Sequence, residues 1–242
     1  MNDIDIAVEK IRNAKYLVAF TGAGISVESN IPPFRGENGI WNKFDPKTLD
    51  IDYFANNPVE CWSQITQMFF DVIDIAKPNT AHYCLAKLEE QNILKSLITQ
   101  NIDNLHFDAG NKNVVEYHGN TRDLICMNCG KRYKVSDFDL KNEIPVCSCN
   151  NILKPDFVFF GEGIPEKALI QVEKDIKNVD VMLVIGTTGE ILPASLIPYQ
   201  AKQNGAYIIE INTEKSNFTD KITDLFLQGK AGEICQKISE SI

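Results

Sequence analysis

The sequence predicts an α/β fold: a parallel sheet covered by helices on both faces, with a small cysteine-bearing insert. Three observations carry that expectation. Short apolar runs alternate with amphipathic helical stretches, the pattern of strands buried on both sides. The glycine-rich stretch TGAGIS (21–26) follows directly on the first apolar run, as a tight strand-to-helix turn requires. Four of the seven cysteines stand at 126, 129, 147 and 149, in a polar region that breaks the alternation.

Taken in order, Ile4, Val8 and Ile11 recur at helical spacing and predict a short amphipathic helix. Tyr16–Phe20 (YLVAF) is a buried strand running into Gly22-Ala23-Gly24. Pro32 and Pro33 enforce a loop, and Asn57-Pro58 supplies an N-cap and first-turn proline for a helix reaching about Ala76. A helix over Thr80–Gln91 leads to the strand Ser96–Thr99. Further strands are predicted at Val114–Tyr117, Phe157–Phe160, Val181–Ile185 and Tyr207–Ile211, and helices near 165–178, 194–204 and 231–240. The segment 123–155, with Lys131, Arg132 and Pro145, reads as the insert.

Composition narrows the function. A chain of 242 residues suggests one large domain, or one domain with a small insert. At 44% hydrophobic and 24% charged residues it is globular, neither disordered nor fibrous. No apolar run approaches the ~18 residues of a membrane span. Asp3, Asp5 and Glu9 stand where a secretory leader needs positive charge, so a cytoplasmic protein with no membrane partner is expected. With 24 basic against 33 acidic residues the net charge is −9, which repels a phosphate backbone and argues against direct nucleic-acid binding. A basic peptide suits that field. Clustered cysteines in a chain of this size indicate a metal site rather than a disulfide framework.

The Gly22-Ala23-Gly24 turn places backbone N–H groups where a pyrophosphate could approach. The third glycine of the dehydrogenase fingerprint is missing, since position 27 is Val, and no acidic strand end follows at the usual distance. A hydride-transferring enzyme therefore fits poorly. In order along the chain come GAGISVESNIPPFRGENGIW (22–41), TQNIDNLH (99–106), His118-Gly119, the four cysteines, KPDFVFFGE (154–162), GTTGEILP (186–193) and IN (211–212). This succession resembles the sirtuins, the NAD-dependent protein-lysine deacylases, over residues from about 16 to 231.

The resemblance implies a Rossmann-like, doubly wound parallel sheet (1–122 and 156–242) with a small zinc-ribbon domain inserted (123–155), the two enclosing a cleft. It implies NAD as co-substrate, contacted by Gly22, Ala23, Gly24, Ile25, Ser26, Phe34, Arg35 and Trp41. After the second strand, Gln100, Asn101, Ile102 and Asp103 would hold the ribose and the nicotinamide carboxamide; Gly186, Thr187, Thr188, Asn212 and Ala231 would complete the site. His118 would be the general base and Asn101 its catalytic companion. Imidazole suits that task because its ordinary pKa lies near neutrality. Of the other two histidines, His82 reads as structural and His106 as a local hydrogen bond within its loop. Val158 and Phe160 would line the tunnel for the acyl-lysine stem. Gly161, Glu162 and Gly163 on one side, and Gly189, Glu190 and Ile191 on the other, would bracket an acyl-lysine peptide entering as an extra strand. In the implied reaction the amide oxygen attacks the ribose as nicotinamide leaves, giving an O-alkylamidate. His118 then activates the ribose diol, and lysine departs with O-acyl-ADP-ribose as co-product.

Cys126-x2-Cys129 and Cys147-x-Cys149 form a four-thiolate set suited to structural zinc. The second pair is one residue shorter than the usual form. Cys61, Cys84 and Cys235 read as buried thiols, and Asn30 stands where the family has glycine, at a turn that Asn tolerates. Sirtuins that remove succinyl or malonyl groups place a Tyr and an Arg three residues apart on the helix after the cofactor loop; Ile65 and Met68 stand there. A neutral acyl group, acetyl first, is therefore expected. Two alternatives stay open at this stage: an ADP-ribosyltransferase or NAD glycohydrolase using the same ribose chemistry, and a non-catalytic zinc protein that senses NAD.

Overall fold

The computed structural model describes residues 2–34, 36 and 39–242. Among the described residues nine strands follow in chain order: β1 (Leu17–Thr21), β2 (Leu94–Thr99), β3 (Val114–Glu116), β4 (Gly119–Ile125), β5 (Arg132–Lys134), β6 (Lys154–Phe157), β7 (Val181–Ile185), β8 (Tyr207–Asn212) and β9 (Leu225–Gln228). Six form a parallel sheet in the order β3-β2-β1-β7-β8-β9. β1 and β7 are buried at all five positions, as continuous apolar runs covered on both faces must be.

Helices Asp3–Asn13, Thr80–Glu90 and Ala231–Ser241 cover one face through Ala7, Ile11, Leu85, Leu88, Ile234 and Ile238. On the other, Glu166–Asn178 and Leu196–Gln203 contribute Ala168, Val172, Ile176, Ile197 and Ala201. Strand order runs from β1 outward to β3 on one side and from β7 outward to β9 on the other. The loops after β1 and β7 therefore diverge at the carboxyl edge, the place where open α/β sheets bind ligands.

β4, β5 and β6 make a separate antiparallel sheet in the order β5-β4-β6. Its strands begin at Gly119 and end at Phe157, so the sheet reaches beyond 123–155 on both sides. A third apolar core joins it to an earlier stretch of chain: Leu124, Leu153, Phe157 and Phe159 pack with Leu49, Phe54, Trp62, Ile65, Met68 and Phe69. Trp62 Nε1 donates to Leu153 O at 2.7 Å, pinning the two segments together.

Two of the predicted elements take a different form in the structure. The helix from Pro58 does not run unbroken to Ala76; it is α-helical over Pro58–Ile65, widens into a π-turn over Thr66–Phe70, and resumes over Asp71–Ile73. Three successive residues, Met68, Phe69 and Phe70, are buried there, which 3.6-residue periodicity does not allow and a widened turn does. Asn57 precedes that helix without capping it, because its side chain donates back to Tyr53 O. The predicted strand Phe157–Phe160 ends at Phe157. Beyond it the chain stays paired at alternate residues: Val158 N donates to His118 O (2.8 Å) and Phe160 N to Leu49 O (2.8 Å). Asn30 adopts the left-handed conformation expected of it, with φ of 63°.

Candidate active site and metal centre

The two glycine-bearing loops meet where the sheet reverses. Gly24 N donates to Gly186 O at 2.8 Å and Gly22 N to Ile185 O at 3.0 Å. A Cβ on Gly24 would lie 2.7 Å from Gly186 Cα, and one on Gly186 (φ 62°) 2.3 Å from Ile25 N. The glycines are thus required for one loop to nest on the other, and the N–H groups of Gly22 and Gly24 are already committed within the protein. Any pyrophosphate donors must come from the neighbouring amides and side chains.

Behind this crossing lies a buried polar network. Ser26 Oγ donates to Asp103 Oδ2 at 2.6 Å, and Leu105 N–H donates to Asp103 Oδ1 at 3.0 Å. Asn101 Nδ2 donates to Gly22 O and Ser26 Oγ, both at 3.2 Å. Burial raises the Asp103 carboxyl above the ordinary carboxylate range, against hydrogen bonds from Ser26, Leu105 N–H and Asn101 that favour its charged form. Gln100 Nε2 reaches Thr187 Oγ1 across the crossing (3.1 Å), and Asn212 Nδ2 donates to Thr187 O (3.1 Å). Residues 100–103, 187 and 212 are thereby brought to one place. Ile102 is half-buried and holds Thr121 Oγ1 on its carbonyl. Thr188 is exposed at the rim, its carbonyl accepting from Asn217 N–H. Ala231 opens the last helix, where Glu28 Oε2 accepts from Gly232 N–H at 2.7 Å.

His118 sits at the junction of the two sheets. Its Nδ1 lies 3.1 Å from the Gln100 carbonyl. A carbonyl only accepts, so Nδ1 carries the proton of the neutral ring and Nε2 is left as a base. Burial lowers the pKa of His118 below its ordinary value of 6.5, and the Gln100 hydrogen bond only partly offsets this. Gly119 (φ 75°) lets β4 start hard against β6: a Cβ there would lie 2.3 Å from Asp156 O.

Phe34, Trp41 and Phe160 form a chain of rings, with centroids 5.5 Å (Phe34–Trp41) and 6.3 Å (Trp41–Phe160) apart. Phe160 is 47% exposed, and Val158 is half-buried beside it. Gly161, Gly163 and Glu190 are exposed; Gly189 and Ile191 are half-buried. The Glu162 side chain is turned inward, accepting from Phe159 N–H (2.8 Å) and pairing with Lys154 Nζ (3.0 Å). Only its backbone is left for a peptide. Arg35 lies outside the described residues.

Lys154, Thr21 and Thr99 also belong to the site, although the sequence motifs assign them no role. Lys154 directly precedes Pro155 in an otherwise apolar stretch, and a lone lysine there was the available signal. His82 is structural as expected: its Nδ1 accepts from Asn79 N–H at the start of its helix, and burial lowers its pKa to about 4. His106 bonds not within its own loop but to Thr21 of β1. Cys61, Cys84 and Cys235 are buried, as expected.

The other four cysteines converge. Their Sγ atoms lie within 4.8 Å of one another, at 3.5 Å (Cys126–Cys149), 3.6 Å (Cys129–Cys147) and 3.7 Å (Cys129–Cys149). A tetrahedron with ~2.3 Å zinc–sulfur bonds has edges of about 3.8 Å, so the set fits a structural zinc ion. The shortened Cys147-x-Cys149 pair closes because Asn150 turns left-handed (φ 65°) and returns its N–H to Cys147 O. Four protein thiolates leave no open coordination position, so such an ion folds the module and takes no part in chemistry.

A Rossmann-like sheet, a four-thiolate module and a histidine seated between them define the class of NAD-cleft proteins with a zinc-bearing small domain. The Sir2 family profile matches residues 22–193. An NAD-dependent protein deacylase of Pyrococcus furiosus is 44% identical over 232 residues, covering 93% of this chain and 92% of that protein. Two solved structures superpose closely. A Sir2 homologue–NAD complex has a TM-score of 0.91, 38% identity and coverage of 98% and 93% of the two chains. A Sir2 protein with a deacetylated peptide and 3′-O-acetyl-ADP-ribose has a TM-score of 0.93, 35% identity and 98% coverage of each. This chain belongs to the Sir2 family.

Proposed function

We propose that this protein removes acetyl or other neutral acyl groups from protein lysines, consuming NAD and one water molecule and releasing nicotinamide, free lysine and O-acyl-ADP-ribose. The observation that carries the proposal is the seating of His118: Nδ1–H held by Gln100 O, Nε2 left basic, the ring kept neutral by burial. NAD as co-substrate supplies an electrophilic ribose carbon and a leaving nicotinamide. The protein holds, orients and deprotonates. With its amide nitrogen committed to Gly22 O and Ser26 Oγ, Asn101 presents Oδ1 to accept from a ribose hydroxyl. Asp103 and the Ile102 backbone hold the carboxamide, and Gln100 steadies the ribose side. Gly22 to Ser26, Gly186 to Thr188, Asn212 and Ala231 frame the rest of the dinucleotide, with Phe34, Arg35 and Trp41 closing over it. The ring chain Phe34–Trp41–Phe160 with Val158 keeps water from the reacting oxygen. His118 Nε2 takes the ribose hydroxyl proton that frees the second nucleophile.

The peptide is held between residues 161–163 and 189–191 by main-chain hydrogen bonds, which tolerate varied sequence. Residues 1–122 and 156–242 serve as the dinucleotide domain and 123–155 as the metal-bearing insert, the insert's sheet continuing into 119–122 and 156–157 at the join. The free thiols and thiolate cluster suit a reducing compartment, in keeping with a cytoplasmic site of action. Among the described residues no helix is long and apolar enough to cross a membrane.

Ile65 and Met68 are buried at 0% and 2% exposure, and no arginine lies on their helix. A carboxylate brought there would go unpaired, at a cost of several kcal/mol. Incubating acetyl-, butyryl- and succinyl-lysine peptides with NAD and weighing the products tests both claims. Free lysine peptide with O-acyl-ADP-ribose is expected, fastest from the acetyl peptide. ADP-ribose without a lysine product would refute deacylation, and faster removal of succinyl would refute the neutral tunnel.

A further inference from the structure

A line of hydrogen bonds runs beneath the cleft from a buried histidine to the catalytic loop. His106 Nε2 lies 3.0 Å from Thr21 Oγ1, Thr21 Oγ1 donates to Thr99 Oγ1 at 2.9 Å, and Thr99 Oγ1 accepts from Asn101 N–H at 3.0 Å. His106, Thr21, Thr99 and Asn101 are all buried, at 2%, 0%, 3% and 8% exposure. The donors fix the polarity. Thr21 gives its only proton to Thr99, so its oxygen is the acceptor for His106 and the ring carries its hydrogen on Nε2. Burial and the neighbouring His82 ring, 4.8 Å away, hold His106 neutral, its pKa well below the ordinary value.

The other ring nitrogen makes the case. His106 Nδ1 is buried without a hydrogen-bond partner. A side chain kept only to fill the core would do better as an apolar residue, because an unpaired buried polar atom costs free energy. The ring uses one nitrogen, and that nitrogen ends on the backbone of Asn101 two hydroxyls away. We propose that His106 is a positioning residue, which through Thr21 and Thr99 fixes the backbone of Asn101 and so aims its carboxamide at the ribose. This line of bonds ties β1, β2 and the Asn101 loop together beneath the cleft. Loss of any link lets the loop drift while leaving the peptide groove, on the other wall of the cleft, in place.

This inference rests on the deacylase reading, so the experiment begins with the wild-type protein, NAD and an acetyl-lysine peptide. Absence of nicotinamide release there would overturn that reading and this one with it. With wild-type activity in hand, H106L, H106Q, T21V and the double variant H106L/T21V are compared. Small misplacements remote from the chemistry cost up to about a hundredfold in rate. H106L and T21V are each expected to lower kcat about ten- to a hundredfold with peptide KM within about twofold. The double variant is expected to lose no more than the worse single one, since both cut the same line. H106Q, which keeps a donor at the Nε2 position, is expected within about threefold of wild type. Wild-type kcat in H106L, or single losses that multiply in the double variant, would overturn the proposal. Should H106L fail to fold, T21V, equal in shape and lacking only the hydroxyl, decides alone: undiminished kcat overturns it.

Discussion

Replacing Lys154 with methionine is expected to destabilise the protein and loosen one wall of the cleft. The ammonium is 3% exposed and all three of its donors are engaged: Pro155 O at 2.8 Å, Phe157 O at 2.7 Å and Glu162 Oε2 at 3.0 Å, with the Phe159 ring 4.1 Å away. Breaking a buried ion pair from one side costs about 3–5 kcal/mol. Glu162 keeps 27% exposure and its bond from Phe159 N–H, which places that part nearer 2 kcal/mol, roughly, while the two stranded carbonyls add about 1 kcal/mol each. The sum, about 4 kcal/mol, corresponds to a Tm lowered by about 8–16 °C for a chain of this size. Calorimetry measures it, and Glu162→Gln in the same background supplies the control. With the stranded charge gone, Lys154→Met/Glu162→Gln should recover part of the loss, so the two substitutions should not add. Kinetically, peptide KM should rise while NAD KM holds, because the staple spans the segment bearing Val158 and Phe160. Additive destabilisation, or a variant melting like wild type, would refute the assigned pair.

Three further outcomes follow from the site. Activity should depend on a neutral His118, and because burial lowers its pKa, the midpoint of the acidic limb of kcat/KM should fall below pH 6.5; a midpoint above 6.5 would contradict the seating described. His118→Ala should lose about 10²–10⁴ in kcat while retaining NAD affinity by calorimetric titration. Removing zinc with a chelator, or substituting Cys126→Ser, should lower Tm by at least about 5 °C, the equivalent of about 2.7 kcal/mol at a hundredfold excess over the dissociation constant. An unchanged melt would dismiss the metal as a folding element.

The main sheet was legible because its strands are buried on both faces: LVAFT at 17–21 and VMLVI at 181–185 admit little else once helices separate them. The cysteine set was legible from spacing alone. The π-turn at 66–70 was not, since ITQMFF satisfies a helix until the core demands three adjacent side chains. β9 is four residues at the sheet edge with only Leu227 fully buried, too little pattern for a strand. Thr21 and Thr99 went unseen because their partners are distant in sequence, and Lys154 because its charge turns inward onto the segment that follows it. Thr21 and His106 are 85 positions apart, and Glu162 points away from the groove that its neighbours line.

That distribution has a physical cause. Periodicity reports only which face of an element is buried, whereas the floor of this cleft is made by contacts between the ends of elements. Asp103, Ser26, Asn101, Thr99, Thr21 and His106 come from the ends of β1 and β2, the 3-10 turn after β1, the loop after β2 and the short helix that follows it, and each is buried with its donors or acceptors aimed at another member. A floor of apolar side chains would fold as well or better, since burying Asp103 works against its charge. It would also leave Asn101 free to turn. Directional bonds hold one orientation of that carboxamide before any ligand arrives, and preorganised dipoles stabilise a charged transition state more than dipoles that must reorient. The same reasoning explains the glycines of the two loops. Gly24 and Gly186 remove the Cβ atoms that would part the loops, and only with the loops in contact do Gln100 and Thr187 meet across the crossing.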